Sequence, residues 1–358
     1  MRSSWEGLVG QLKKYNVVYC HTIPLVAAAY ISRRWSGEPL WALVVGPPGT
    51  GKTLPMKLFS ECKDVKMVSS LTPASLISGW GGELIDRSLM AELDGKLLIA
   101  KDFGTLLSMS WATSNEVFSI LREAFDGFVS KNFGMMRREY KLKFNFVAAT
   151  TEGAEVFQAF RAQLGERFIR YAHISPTLPH PPPMVKDEVV GIVSNWADSL
   201  PSNPEPDIST REVVACCDIA VIAALLRTEV IHDGRSEEVL EVPGFEGPAR
   251  LTFQLTKLYK ALKTVTGEDK FAYSLMRTAG VSVIKTRRAR IIRAIMKEEG
   301  LETGMISEKL RLGYGVTRRV LNDLHVLGLV HREQKGFPKT YQWSVAKDYR
   351  ERFKVFFG

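Results

Sequence analysis

The octet Gly46-Pro47-Pro48-Gly49-Thr50-Gly51-Lys52-Thr53 constrains this chain more than any other segment. It fits GxxxxGK[ST], follows a run of strand-formers, Trp41-Ala42-Leu43-Val44-Val45, and opens a helical pattern, the strand–loop–helix context that a phosphate-binding loop requires. Its glycines let the backbone curl so that N–H groups point at phosphate oxygens. Lys52 then sets a cation against the β- and γ-phosphates, and the Thr53 hydroxyl can ligate Mg²⁺. Residues Gly46 to Thr53 are therefore the expected binding positions for ATP. Pro55 falls in the first turn of the following helix, where a missing N–H costs little.

Two further apolar runs end in polar residues. Leu97-Leu98-Ile99-Ala100 leads into Lys101-Asp102-Phe103, where nucleotide-hydrolysing loops of this kind often carry Asp-Glu. Asp102 is either the metal-side acid, the favoured assignment, or the residue in the Glu register with Lys101 replacing the Asp. Phe144-Asn145-Phe146-Val147-Ala148-Ala149 ends in Thr150-Thr151. In ring-forming ATPases, which this arrangement resembles, a polar residue at this place reads the γ-phosphate or orients water; that likeness makes Thr151 the better-aligned candidate, and ordinary strand-end threonines are the alternative.

Phosphate loop, acid-terminated strand, threonine, then Leu164-Gly165-Glu166-Arg167-Phe168-Ile169-Arg170-Tyr171 is an order that resembles AAA+ ATPases. The Gly-Glu-Arg-Phe segment is similar to the arginine-finger region of minichromosome-maintenance-type helicases. That resemblance implies that Arg167, with Arg170 second, reaches a neighbouring subunit's nucleotide, and that Arg250, opening a lid helix, contacts the γ-phosphate; a salt bridge is the alternative for Arg250. The phrases Leu71 to Trp80, Lys101 to Ser108 and Leu121 to Gly127 resemble replication ATPases of phages and integrated mobile elements.

At 358 residues, more than twice the ~150 of a typical domain, the chain has room for further parts. Prolines 176, 179, 181, 182 and 183 mark a connector, and helical patterns over 207–230 and from 247 follow. From Thr286 three helical patterns (287–299, 307–312, 316–327) precede two strand patterns, the order of a winged helix-turn-helix. The expected fold is thus α/β: a P-loop AAA+ parallel-sheet core (1–175, with a helical lead-in over 1–38), a proline-rich hinge and helical lid (176–284), and a winged-helix domain (285–358).

Charge is unevenly placed along this order. The net +9 lies entirely in residues 285–358, which hold 17 Lys and Arg against 8 Asp and Glu, while the remainder has 31 of each sign. Such a segment suits a polyanion. Arg318 and Arg319 near the third helix's start, and Lys335 and Lys339 in the wing, are the candidate DNA contacts; protein docking is the alternative use. Lys131, Arg137 and Arg138, in an expected β-hairpin over Phe128–Lys143, are a second candidate set, against a solvated basic hairpin.

The apolar stretches 23–31 and 213–226 fall short of a bilayer span, residues 1–10 carry no signal-peptide core, and a cytoplasmic location is expected. Adjacent Cys216 and Cys217 read as buried thiols rather than metal ligands. The resemblance implies an ATP-hydrolysing DNA motor, helicase or helicase loader, in phage or mobile-element replication. It would act as a homo-oligomeric, hexameric ring with Mg²⁺, DNA and other replication proteins. The alternative is an ATP-switched DNA-binding assembly factor that does not unwind DNA.

Overall fold

The run Trp41–Gly46 forms strand β1, with all six residues buried. The computed structural model describes residues 4–15, 17, 21–80, 85–134, 136–151, 165–173, 187–201, 205–234, 238–242, 244, 247–282, 286–335 and 340–357. The expected proline connector and Lys339 lie outside these residues. Strands β2 (Val65–Val68), β3 (Leu97–Ala100), β6 (Asn145–Thr151) and β7 (Ile169–Ala172) complete a five-stranded sheet in the order β2-β3-β6-β1-β7. Every pairing in it is parallel. β1 therefore lies between two strands, and its apolar residues are covered on both faces, as parallel sheets require.

Helices α1 (Trp5–Lys14) and α2 (Thr22–Ile31) precede β1, and every residue of α2 is buried, as suits a helix apolar all round. Short helices α3 (Thr53–Lys57) and α4 (Pro73–Leu76) follow β1 and β2. A reciprocal capping box starts α4, in which the Ser75 N–H donates to Thr72 Oγ1 at 3.1 Å and the Thr72 N–H donates to Ser75 Oγ at 2.9 Å. Helix α5 (Trp111–Phe125) turns Val117, Phe118, Leu121, Ala124 and Phe125 inward. The expected hairpin forms as antiparallel β4 (Phe128–Phe133) and β5 (Met136–Lys141), and α6 (Asp187–Ser199) follows β7.

Downstream come α7 (Thr210–Arg227), the β8–β9 hairpin (Ile231–His232, Val239–Glu241), α8 (Ala249–Thr266) and α9 (Asp269–Ser282). Then follow α10 (Thr286–Lys297), β10 (Leu301–Glu302), α11 (Thr303–Leu310), α12 (Tyr314–Val326), β11 (Val330–Lys335), β12 (Thr340–Val345) and α13 (Lys347–Phe357). β10, β12 and β11 form an antiparallel sheet in that order.

Two compact units result: Met1–Ser209 with Phe253–Ala279, and Thr210–Thr252 with Gly280–Gly358. The expected borders at 175/176 and 284/285 run elsewhere, because residues from the expected lid build the C-terminal core. Buried Arg288 of α10 donates to the carbonyls of Leu226 (3.0 Å) and Thr228 (2.5 Å) at the end of α7, α13 packs along α7, and Arg352 pairs with Asp218 at 3.0 Å. In the first unit, Lys257 of α8 donates to the carbonyls of Glu38 (2.8 Å) and Ser36 (3.2 Å) ahead of β1. Burial pushes its ammonium down to about 8.

Asn145, fully buried at the start of β6, ties three segments together. Its Oδ1 accepts from the Leu40 N–H at 2.7 Å, and its Nδ2 donates to Ala29 O at 2.8 Å and Ser32 Oγ at 3.0 Å. Asn145→Ala removes the acceptor of the buried Leu40 N–H and the donor to Ala29 O and Ser32 Oγ, so unfolding followed by tryptophan fluorescence in denaturant is expected to show a loss of about 2–4 kcal/mol.

Candidate functional site

Parallel pairing puts the carboxyl ends of β1, β3, β6 and β7 on one edge of the sheet, the edge where open α/β sheets hold their ligands. The octet leaves β1 there. Gly49 and Gly51 have φ of +75° and +80°, a left-handed conformation that glycine adopts without steric cost. Lys52 is buried, and its Nζ donates to Gly46 O at 2.7 Å and Pro47 O at 2.5 Å, so the loop encloses a cation among its own carbonyls. The Thr50 hydroxyl donates to Pro47 O at 2.8 Å. Thr53 opens α3 and is half-buried. This helix is short: beyond Lys57 the chain continues in tighter i→i+3 turns, Phe59 N–H to Met56 O and Ser60 N–H to Lys57 O.

Asp102 is exposed just past β3, its Oδ1 accepting from the Gly104 N–H at 3.1 Å. A Cβ at Gly104 would stand 3.2 Å from Thr150 Oγ1 and 3.3 Å from Asp102 Oδ1. Asp102 and Thr150 thus lie close around Gly104, where a side chain would require both to give by a few tenths of an ångström. Thr151 is exposed and lies in register with Gly46 of the loop. The two threonines divide the strand end: Thr150 Oγ1 lies close to Gly104, and Thr151 stands beside the Gly46–Thr53 loop.

Arg167 precedes β7 and is held within its own chain. Its Nη2 donates to Asp126 Oδ2 at 2.8 Å, its guanidinium lies 5.6 Å from the centre of the Phe125 ring, and its carbonyl accepts from Gln254 Nε2 at 2.9 Å. Arg170 is half-buried within β7, in register with Leu43. Arg250 stands in the first turn of α8, in the part of that helix belonging to the second unit.

His173, which carries no motif in the sequence, belongs to this edge. Its N–H donates to Val45 O at 2.7 Å, continuing the β7–β1 pairing. The ring Nε2 meets Thr50 O at 2.9 Å, and Nδ1 meets Thr22 Oγ1 at 2.9 Å. A carbonyl only accepts, so Nε2 carries the proton. Burial pushes this imidazole below its ordinary value; the bond to Thr50 O opposes that and the charge of Lys52 adds to it. The available signal was a histidine directly ending an apolar strand.

The basic hairpin residues are engaged locally. Lys131 pairs with Glu116 at 2.5 Å, Arg137 with Glu139 at 2.7 Å, and Arg138 donates to Ile85 O at 3.1 Å beside Asp86. Arg137 is well exposed, whereas Arg138 is only 11% exposed and helps seat the hairpin. In the second unit Arg318 and Arg319 are exposed on α12, and exposed Lys335 ends β11 at 3.8 Å from Glu333. Cys216 is buried and Cys217 half-buried. Among the described residues no cluster of three or more His, Cys, Asp or Glu could hold a metal ion, and no helix is long and apolar enough to cross a membrane.

No protein-family model matches the chain, and no curated protein matches its sequence.

The depressed His173 sets a pH dependence. Below about pH 6.5 the unfolded chain takes up this proton before the folded one does, so stability falls as the pH drops below that value. In thermal unfolding across that range, His173→Gln, which keeps a donor and an acceptor, is expected to flatten the slope. An unchanged slope would mean that another group sets it.

Proposed function

We propose that the chain is an AAA+-type ATPase that binds ATP in the Gly46–Thr53 loop and drives DNA transactions in the replication of a phage or mobile element, as an oligomeric ring. The observation that carries this reading is the grouping of a glycine-turned loop around buried Lys52 with Asp102 and the Thr150-Thr151 strand end on one edge of a parallel sheet.

In this reading Lys52 exchanges the Gly46 and Pro47 carbonyls for β- and γ-phosphate oxygens. Backbone N–H groups of the loop take the remaining phosphate charge. The Thr53 hydroxyl and exposed Asp102 carboxylate are hard oxygen donors of the kind Mg²⁺ accepts beside phosphates, and they would hold it there. Mg²⁺ supplies neutralisation of phosphate charge. Thr151, level with Gly46, orients water or reads the γ-phosphate, and Thr150 keeps the Asp102 turn in place. His173 holds the loop's Thr50 carbonyl. Arg167 serves a neighbouring subunit's nucleotide once Asp126 gives it up.

The order α10, α11, α12 and then the β11–β12 hairpin, with β10 on its edge, supports a winged helix as the DNA-binding part. Its Arg318, Arg319 and Lys335 stand on exposed surfaces. A second reading, an ATP-switched assembly factor without unwinding activity, is favoured by two features: Lys101 precedes Asp102 in place of an Asp-Glu pair, and Arg167 is paired in its own chain.

Subunit mixing tests the shared core of both readings. Lys52→Ala and Arg167→Ala proteins are each expected to lose ATPase activity, and mixing them should restore part of it, since some interfaces then join an intact loop to an intact arginine. No recovery in demonstrated mixed assemblies would remove Arg167 from the role. Strand separation of a forked duplex by the wild type, dependent on ATP, distinguishes motor from switch.

A further inference from the structure

We infer that the second unit grips single-stranded nucleic acid in a cleft between the β8–β9 hairpin and helix α12, instead of seating α12 in a duplex major groove. This rests on the reading above that the unit binds nucleic acid, and it names the form of the strand.

The hairpin is fastened to α12 by a buried network. Asp323 of α12 accepts from Arg288 Nη2 on Oδ2 at 2.8 Å and faces His232 Nε2 of β8 across 2.7 Å on Oδ1. The His232 and Arg288 side chains are 4% and 2% exposed. An ionised carboxylate only accepts, so His232 donates from Nε2. Arg288 also holds the end of α7, so one guanidinium joins α7, α10 and α12. The hairpin is therefore a built part of this unit's fold.

Its position decides what α12 can reach. Thr317, Leu321 and Leu324 face the core, which turns Arg318, Arg319, Asn322 and Val326 outward on the stripe a groove-reading helix would present. Glu238 and Val239 of the hairpin segment line the same cleft as that stripe. A duplex major groove is about 12 Å wide and receives a whole helix, and Glu238 and Val239 stand beside this stripe where a wall of that groove would have to pass. The space left is about 440 Å³, within the about 300–1,000 Å³ of small-ligand pockets, room for a nucleotide of one strand and far too little for a duplex.

The lining matches that occupant. Among the described residues that line the cleft, Arg318, Arg319 and Arg332 carry cations and Glu238 a carboxylate, while Val239, Val326 and the His325 ring offer apolar and flat surfaces to a base. Arg332 lies 5.1 Å from the centre of the Tyr341 ring, itself 38% exposed. Cations along a backbone path with rings beside it are the means by which single strands are held without base-edge readout.

The test is fluorescence anisotropy of the full chain with labelled oligothymidylate and with a duplex of equal length, across a salt series. The single strand is expected to bind more tightly. Arg319→Ala should weaken it about tenfold, as loss of a charge-assisted phosphate contact does, and lower the log–log salt slope by about 0.7. Val239→Trp, which fills the cleft from a partly exposed hairpin position, should weaken single-strand binding about tenfold while duplex binding and ATP binding stay unchanged. Glu238→Gln, which removes a lining carboxylate, should tighten it about threefold and decides the matter should Val239→Trp fail to fold. Tighter binding of duplex, or single-strand affinity indifferent to Val239→Trp and Glu238→Gln, overturns the inference and leaves nucleic-acid binding by this unit standing. Binding of neither form overturns both.

Discussion

The burial of Trp41 is the constraint on which the remaining structure depends. Its indole lies 5.0 to 5.4 Å, centre to centre, from Phe168, Phe125, Phe144 and Phe146, and its Nε1 donates to Phe144 O at 3.0 Å. These rings come from α5, from β6 and its approach, and from the residue after Arg167. Large apolar area, tilted and edge-on ring contacts and a satisfied indole N–H together fix the first strand. Phe103, one residue past Asp102, joins the same cluster through Phe146 and Phe168 at 5.4 and 5.6 Å. Each polar residue at the sheet edge is thus one or a few positions from an aromatic anchor, and the edge inherits its geometry from the core.

Short-range pattern made much of this legible. Strands β1, β3 and β6 are continuous apolar runs ended by polar residues. The β4–β5 hairpin alternates, and helices α10 to α12 with strands β11 and β12 follow plain periodicities, so these elements lie within a few residues of their expected places. The loop was legible because glycine spacing reports backbone conformation directly, and Gly49 and Gly51 have the positive φ that the motif needs.

Elements whose identity depends on distant partners were not legible. β2 is only half-buried and short, β10 has two residues, and both exist through pairing with a neighbour. Helix α13 escapes pattern reading because its charged sequence hides Phe353 and Phe356, the two side chains it buries. The division into units is hidden for a similar reason: Arg288 reads as one more basic residue of a basic tail, yet its guanidinium is buried and joins three helices. His173 and Asp323 likewise gain their roles from residues more than ninety positions away in sequence. For the same reason the charge excess after residue 284 overstates the free cations, since part of it is held inside the fold.

The central claim is that the Gly46–Thr53 loop holds a nucleoside triphosphate through Lys52. Isothermal titration of the full chain with ATP and Mg²⁺, run beside Lys52→Met, tests it most directly. Phosphate binding through Lys52 predicts saturable one-site binding by the wild type that competes with ADP and is lost in the variant, with the thermal unfolding of the variant unchanged. Equal affinity in the two proteins, or no binding by either, would contradict it.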